Sequence, residues 1–223
     1  MRTIKKEDGQ MSLAVLLLAV SVLIVGLGLV VLGQASDVRG KAQKAADAAS
    51  LAAAEEAKRN WIDAWVHGQI MPTTRADGYE VWRDFDHYAA SAGGSGYWEA
   101  VSFAQANSNS TVRNYSSRTP GFRTVEITVD TDSEVVDAQG TTSNMIGDVQ
   151  GNATATAELS VAGVSCIGDG GQWEDNSQTL IAWKVTCSGN GASASVQYDG
   201  AGNAVSYSPS AIGRLFDDIR LIN

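Results

Sequence analysis

Few residues in this chain of 223 have types and spacings that could do chemistry. His67 and His87 are its two histidines, and the only candidates for a histidine general base. His87 lies in the run RDFDHY beside Asp84 and Asp86, but no strained nucleophile turn of the G-x-S-x-G type accompanies it. It reads as part of a solvated helix face. Asp130, Asp132 and Glu134 alternate along a predicted strand, so their carboxylates fall on one face and could hold a calcium ion. The EF-hand spacing with its glycine is missing, and a solvated sheet face is the expectation. GDGG at 168–171 lacks the Lys and following Ser or Thr of a phosphate-binding loop. Cys166 and Cys187 are the two cysteines; structural zinc needs four Cys or His ligands, and the histidines are distant in sequence. A disulfide is the simplest use of the pair, and disulfides belong outside the cytoplasm. No catalytic, cofactor-binding or metal-ligating residue is therefore assigned, and no enzyme activity is expected.

What positions everything else is the stretch Met11 to Gly33, MSLAVLLLAVSVLIVGLGLVVLG, which carries no charge. As a helix rising about 1.5 Å per residue it is roughly 35 Å long, enough to cross the roughly 30 Å hydrocarbon core of a bilayer. It exceeds the apolar region of a secretory signal peptide, which argues for a retained anchor. Gly33, Gln34 and Ala35 nevertheless offer a signal peptidase small residues, so cleavage before Ser36 is the competing outcome. Lys and Arg are about equally frequent on the two sides of the span and do not orient it. The cysteine pair does: the basic leader, residues 1–10, is placed in the cytoplasm and the C-terminal domain outside it. Gly9 directly precedes the apolar run and is either a junction or a processing site.

Small residues recur through the span every seventh position. Ser12, Ala19, Gly26, Gly33 and Gly40 form one stripe, and Ala14, Ser21, Gly28, Ala35, Ala42 and Ala49 another, on nearly opposite sides of a helix. Small residues let helix backbones approach closely in lipid, so the helix is expected to have neighbours on two sides. From Ala35 to Trp65 the chain is Ala-rich and free of proline, with Glu55 four residues before Arg59, and predicts continuation of the helix as a stalk, with Gly40 its weak point.

An N-terminal span followed by KAQKAADAASLAAAEEA, Lys41 to Ala57, resembles the membrane-proximal region of the TadE/TadG-like proteins of tight-adherence (Tad, Flp-type) pilus assembly. GNATATAELSV, Gly151 to Val161, is similar to a strand found in actinobacterial members. The leader departs from prepilins, which have Glu at the fifth position after the cut where this chain has Ala14, and so leans towards the TadG-like branch. The resemblance implies a role in building or anchoring a surface pilus or secretion apparatus, without enzymatic activity. It also implies partners: other pilus-assembly or pilin-like membrane proteins, reached through the N-terminal helix, with homo-oligomerisation open.

Beyond the helix, Pro72 marks a stop and Ala76 to Gly94 carries Val81, Phe85 and Tyr88 at helical spacing. YWEAVSFAQANS is a further short helix, and Trp61, Trp65, Trp82, Trp98, Phe85 and Phe103 are expected to form an aromatic core. After Phe122 the period becomes two: FRTVEITVDTDSEVV, NATATAELSVAGVSC, TLIAWKVTCSG and a hairpin turning at Asp199–Asn203 predict one small antiparallel sheet. The tail AIGRLFDDIRLIN is read as a closing helix with Ile212, Leu215, Phe216, Ile219 and Ile222 on one face. The expected fold is α+β: leader 1–10, span 11–33, Ala-rich helix 34–66 and outer domain 67–223. The net charge of −9 disfavours nucleic acid as a partner. The competing functions are a major filament subunit and an anchored extracytoplasmic hydrolase.

Overall fold

The computed structural model describes residues 8–75, 82–121, 123–134, 150–161, 163–175 and 177–222. Most of the leader and the segments 76–81 and 135–149, on which parts of the expected helix and strands fall, lie outside the described residues.

Helix α1 runs without interruption from Asp8 to His67. Sixty residues at about 1.5 Å each make it roughly 90 Å long. Gly40 lies within it without ending it, since one glycine costs only about 1 kcal/mol in a run otherwise rich in good helix formers. Its first half is apolar, its described side chains between Leu13 and Leu32 are exposed, and it is long and apolar enough to cross a membrane. The second half behaves differently. Val38, Ala42, Ala45, Ala46, Ala49, Ala53, Ala54 and Ala57 are buried, so the Ala-rich run is the central element of the folded domain and not a free stalk. Alanine explains both properties: it favours helix, and its single methyl lets other backbones come close. A Cβ added at Gly151 would lie 2.8 Å from the carbonyl oxygen of Val38.

After the helix, the predicted helical segment is built in its described part from short pieces: 3₁₀ turns at Phe85–Tyr88 and Gly93–Gly96 flank α2, Ala89–Ala92. The glycines of SAGG prevent a longer run. Helix α3, Tyr97–Ser108, forms as expected and stops at Asn109, whose φ of 50° lets its N–H reach the Gln105 carbonyl at 2.9 Å. It buries Ala100 and Ala104 against α1, one turn apart. Trp98 and Phe103 therefore face outwards, 74% and 49% exposed, which corrects their placement in the core. Trp82 is half-buried. The aromatic core consists of Trp61, Trp65 and Phe85 with Phe216: Trp65 stacks on Phe85 at 4.4 Å, and Trp61 meets the edge of Phe216 at 5.3 Å.

Two antiparallel sheets replace the single one expected. The first contains β1 (Thr111–Gly121), β2 (Thr124–Asp132), β3 (Asn152–Ser160) and β9 (Arg220–Ile222) in the order β1-β2-β3-β9. Val125, Ile127, Val129, Ala157 and Leu159 form its buried face towards α1, and Thr131 donates to the Ala42 carbonyl at 2.9 Å. The second contains β4 (Ser165–Gly168), β6 (Leu180–Gly189), β7 (Ala192–Asp199) and β8 (Ala204–Ser206) in that order, with β5 (Gln172–Trp173) also pairing with β6. Cys166 and Cys187 stand opposite each other on β4 and β6 and form the expected disulfide.

The tail departs from the closing helix predicted for it. Helix α4 is confined to Pro209–Gly213, capped by the Ser208 side chain, which accepts the Ala211 N–H. Ile212, Leu215 and Phe216 are buried as their spacing suggests, but then Asp217 N–H donates to the Ser160 carbonyl and the chain joins the sheet beside β3. An open sheet edge offers backbone partners that a short helix with two consecutive aspartates cannot match.

Candidate assembly surface

The residues with chemical potential do not converge. His67 lies exposed in the last turn of α1, with Nε2 3.4 Å from Asp63. His87 is exposed and accepts from the Arg83 guanidinium at 2.9 Å, so its Nε2 lone pair is already engaged. Asp84 instead accepts the Cys166 N–H at 3.2 Å. On the outer face of the first sheet, Asp130 accepts from Thr154 at 2.6 Å and from Asn114 at 3.3 Å. Arg113 lies 3.8 Å from Asp132 and 4.0 Å from Asp130, and Glu134 accepts from Asn109 at 2.9 Å. A guanidinium thus sits where the sequence suggested a cation. Among the described residues no three metal-ligating side chains are grouped as a metal site requires.

The C-terminal end of α1 is held by groups from several elements. The last carbonyls of a helix lack partners within it. Here Tyr198 of β7 donates to the Val66 carbonyl at 2.8 Å, Gln69 Nε2 donates to Trp65 at 3.0 Å, and Gly68 N–H donates to Ala64 at 2.8 Å. Tyr88 donates to the carbonyl of Gly68 itself. Burial raises the pKa of the Tyr198 hydroxyl far above its ordinary value, and the neighbouring Tyr88 adds to the rise. Burial also raises Tyr88, partly offset by Arg83. These contacts fix the long helix rigidly in the domain.

Of the two sides of α1 marked by small residues, the domain itself takes one. Ala42 and Ala49 are fully buried. At Gly26, Gly33 and Gly40 on the other stripe, an added Cβ would meet nothing within 4 Å. Leu51 follows Gly33 by eighteen residues, about five turns, so the same side of α1 continues into the domain. There α1 and α3 leave a trough between them. Its end nearer the span is a hollow of about 410 Å³ whose lining includes Val38, Lys41, Lys44, Asn107, Ser108 and Glu134. The adjoining hollow of about 380 Å³ is lined chiefly by Ala48, Leu51, Ala52, Glu55, Glu99 and Phe103, and meets the first at Asn107.

Residues 9–56 match the family model described as putative Flp pilus-assembly TadE/G-like. The match is to the Tad family and is confined to that segment. That segment is the membrane-capable half of α1 together with most of the Ala-rich run around which the domain folds. The two sheets lie beyond the match. No curated protein matches the chain, and no solved structure matches it.

Sequence reasoning found the Tad segment and both small-residue stripes, but not the trough. A usable signal existed: Lys44, Ala48, Leu51 and Glu55 are spaced by four, three and four residues, the pattern of one helix face.

Proposed function

We propose that the chain is a membrane-anchored component of a Tad/Flp-type pilus or related secretion apparatus, of the minor pilin-like or TadG-like kind, and acts by helix packing and protein–protein contacts. The leader faces the cytoplasm and the disulfide-closed domain lies outside. The observation that carries this reading is the extent of the family match, which covers the apolar half of α1 and the alanines that pack it, and no constellation of reactive side chains.

A hydrolase has no specific observation in its favour: His87 is exposed and engaged by Arg83. Packing chemistry, by contrast, is present along the whole helix. Small residues support close helix contact in lipid, and a helix clamped at its far end transmits the position of the span to the domain.

The test is deletion of the chain in its native host, followed by recovery of sheared surface pili and by co-purification from solubilised membranes. Loss of pili on deletion, with Tad-type membrane proteins recovered alongside the full-length chain, is the expected result. Normal piliation without it overturns the reading. Labelling of the Cys166 and Cys187 thiols in intact cells, before and after a membrane-impermeant reductant, tests the orientation: label gained only after reduction is expected for an outer domain.

A further inference from the structure

On the reading of this chain as a membrane-anchored component, we propose that the outer domain is seated on the bilayer and that the hollow at its base takes a phospholipid headgroup with both a phosphate and a primary ammonium. Lys41 and Lys44 hold the phosphate, and Glu134 the ammonium. The span and the core of the domain are one continuous helix, and Val38, shortly after Gly33, is already buried. At about 1.5 Å per residue Val38 lies about 8 Å past the end of the span, and the headgroup layer of a bilayer is itself about 5–8 Å deep. The domain thus has no room to stand clear of the lipid. Its end nearer the span is the hollow of about 410 Å³ between α1 and the last turn of α3, lined also by Ser133 and Glu134 just after β2.

Side chains on a helix lean towards its N-terminus, here towards the membrane. Lys41 does so: its ammonium meets Asp37, one turn nearer the lipid, at 2.9 Å. Lys44, a turn further out, makes no ion pair among the described residues, and neither does exposed Arg39. Residues 34–44 hold these three cations and a single carboxylate, Asp37, although the chain as a whole carries a net charge of −9. Positive charge is gathered where phosphates lie. Such a cluster outside the cytoplasm runs against the usual excess of Lys and Arg on the cytoplasmic side, so orientation of the span does not account for it. The other wall of the hollow is negative. Glu134 accepts from Asn109 at 2.9 Å, and a carboxylate has about four acceptor sites, so it can take a further donor. Helix α3 ends at Ser108 in the same hollow, with the partial negative charge of a helix C-terminus. A bare phosphate is repelled by that wall, and a choline-type ammonium has no N–H to give it. A primary ammonium a few bonds from a phosphate satisfies both walls, and the span holds the hollow at a high effective concentration of such groups.

The experiment uses the full chain, with the native disulfide kept, in nanodiscs of phosphatidylcholine alone or with phosphatidylethanolamine or phosphatidylglycerol added. Amide exchange is followed over residues 107–110 and 133–134. The expected result is exchange at least threefold slower with phosphatidylethanolamine than with phosphatidylcholine alone, and a clearly smaller slowing with phosphatidylglycerol. Lys44→Glu should abolish the slowing while keeping the thermal melt of the parent chain. Glu134→Gln should let phosphatidylglycerol match phosphatidylethanolamine, and Lys184→Glu, on the second sheet, should change neither. Phosphatidylglycerol slowing exchange in the parent chain as much as phosphatidylethanolamine overturns the proposal. So does the same slowing from inorganic phosphate added to phosphatidylcholine discs, or exchange that no lipid alters in a chain with the melt of the folded protein. Unaltered exchange with pili still lost on deletion removes the headgroup site and leaves the assembly reading in place; lipid-specific slowing with normal pili on deletion removes the assembly reading and leaves the site.

Discussion

Gly96 sits so close to Ala53 that a Cβ on the glycine would lie 2.6 Å from the alanine's carbonyl oxygen and 2.8 Å from its Cα. This contact joins the start of α3 to the middle of the Ala-rich run. Backbone cannot retreat as a flexible side chain can. Gly96→Ala should therefore destabilise the domain by about 1–3 kcal/mol through overpacking. Gly94→Ala, two residues away with nothing within 4 Å of its added Cβ, serves as the control and should change stability little. Urea titration of both variants in detergent, followed by tryptophan fluorescence, checks the pair.

The six tryptophans range from fully buried to exposed, and Trp61 and Trp98 stand at the two extremes. Trp61 is fully buried, donates its Nε1–H to the Phe85 carbonyl at 2.7 Å and packs on Phe216. Trp98 is 74% exposed. Trp61→Ala should cost about 3–5 kcal/mol, the range for removing a large aromatic from a core. Trp98→Ala should stay within about 0.5 kcal/mol. Comparable losses from both substitutions, read from the same urea titrations, would contradict the placement of α3.

That division also shows what could be read in advance. Trp61 and Trp65 follow the Ala-rich run one turn apart, so their sharing a face was legible. Trp98 and Phe103 were misplaced because α3 packs through Ala100 and Ala104, and alanine gives a weak hydrophobic signal. The same ambiguity hid the role of residues 42–57, since alanines that favour an isolated helix are also those that let a sheet and a second helix close upon it. β2 was legible from Val125, Ile127 and Val129 alternating with polar partners. β1 was not: TVRNYSSRTPG is an exposed edge strand, with Pro120 in it and Val112 and Tyr115 as its only large apolar residues. The last strand was unreadable for another reason. β9 exists because β3 offers an edge, and that edge is known only once the first sheet has formed.

The disulfide ties β4 to β6 across a sequence separation of 21, and both cysteines are buried. Closing a loop of that size stabilises a domain by about 3 kcal/mol in the chain-entropy model. The double variant Cys166→Ala/Cys187→Ala should lose about that much. Its loss should appear first as faster amide exchange along Ser165–Gly168, the short strand that the bond holds at the sheet edge. Unchanged exchange there would show that side-chain packing alone fixes β4.

The Asp199 hairpin provides an acid-sensitive element. Asn203 donates to the Asp199 carboxylate through its side chain and its backbone N–H, and the Ala201 N–H also reaches it, so the pKa is held below its ordinary 3.8. A carboxyl whose folded pKa is depressed contributes stability that is fully present above its unfolded pKa and is lost as pH falls through the folded one. Protection of the β7–β8 turn should thus be flat above about pH 4 and fall below it. Asp199→Asn should remove that acid-dependent step, as measured by amide exchange of Gly202 and Asn203.

Tyr198 titrates at the opposite extreme. Its hydroxyl is buried and donates to the Val66 carbonyl at the end of α1, and burial raises its pKa far above 10.0. Here the neutral form is the one the fold retains. The associated stability is fully present below the unfolded pKa and is lost as pH rises above about 10 towards the folded value. Tyr198→Phe removes this alkaline sensitivity but leaves the Val66 carbonyl without its partner, which should cost about 1–3 kcal/mol at neutral pH. Melting curves of the full chain at pH 7 and pH 11 separate the two effects. The parent chain should lose more stability between those values than the variant; an equal loss would place the alkaline sensitivity elsewhere than at the junction of β7 and α1.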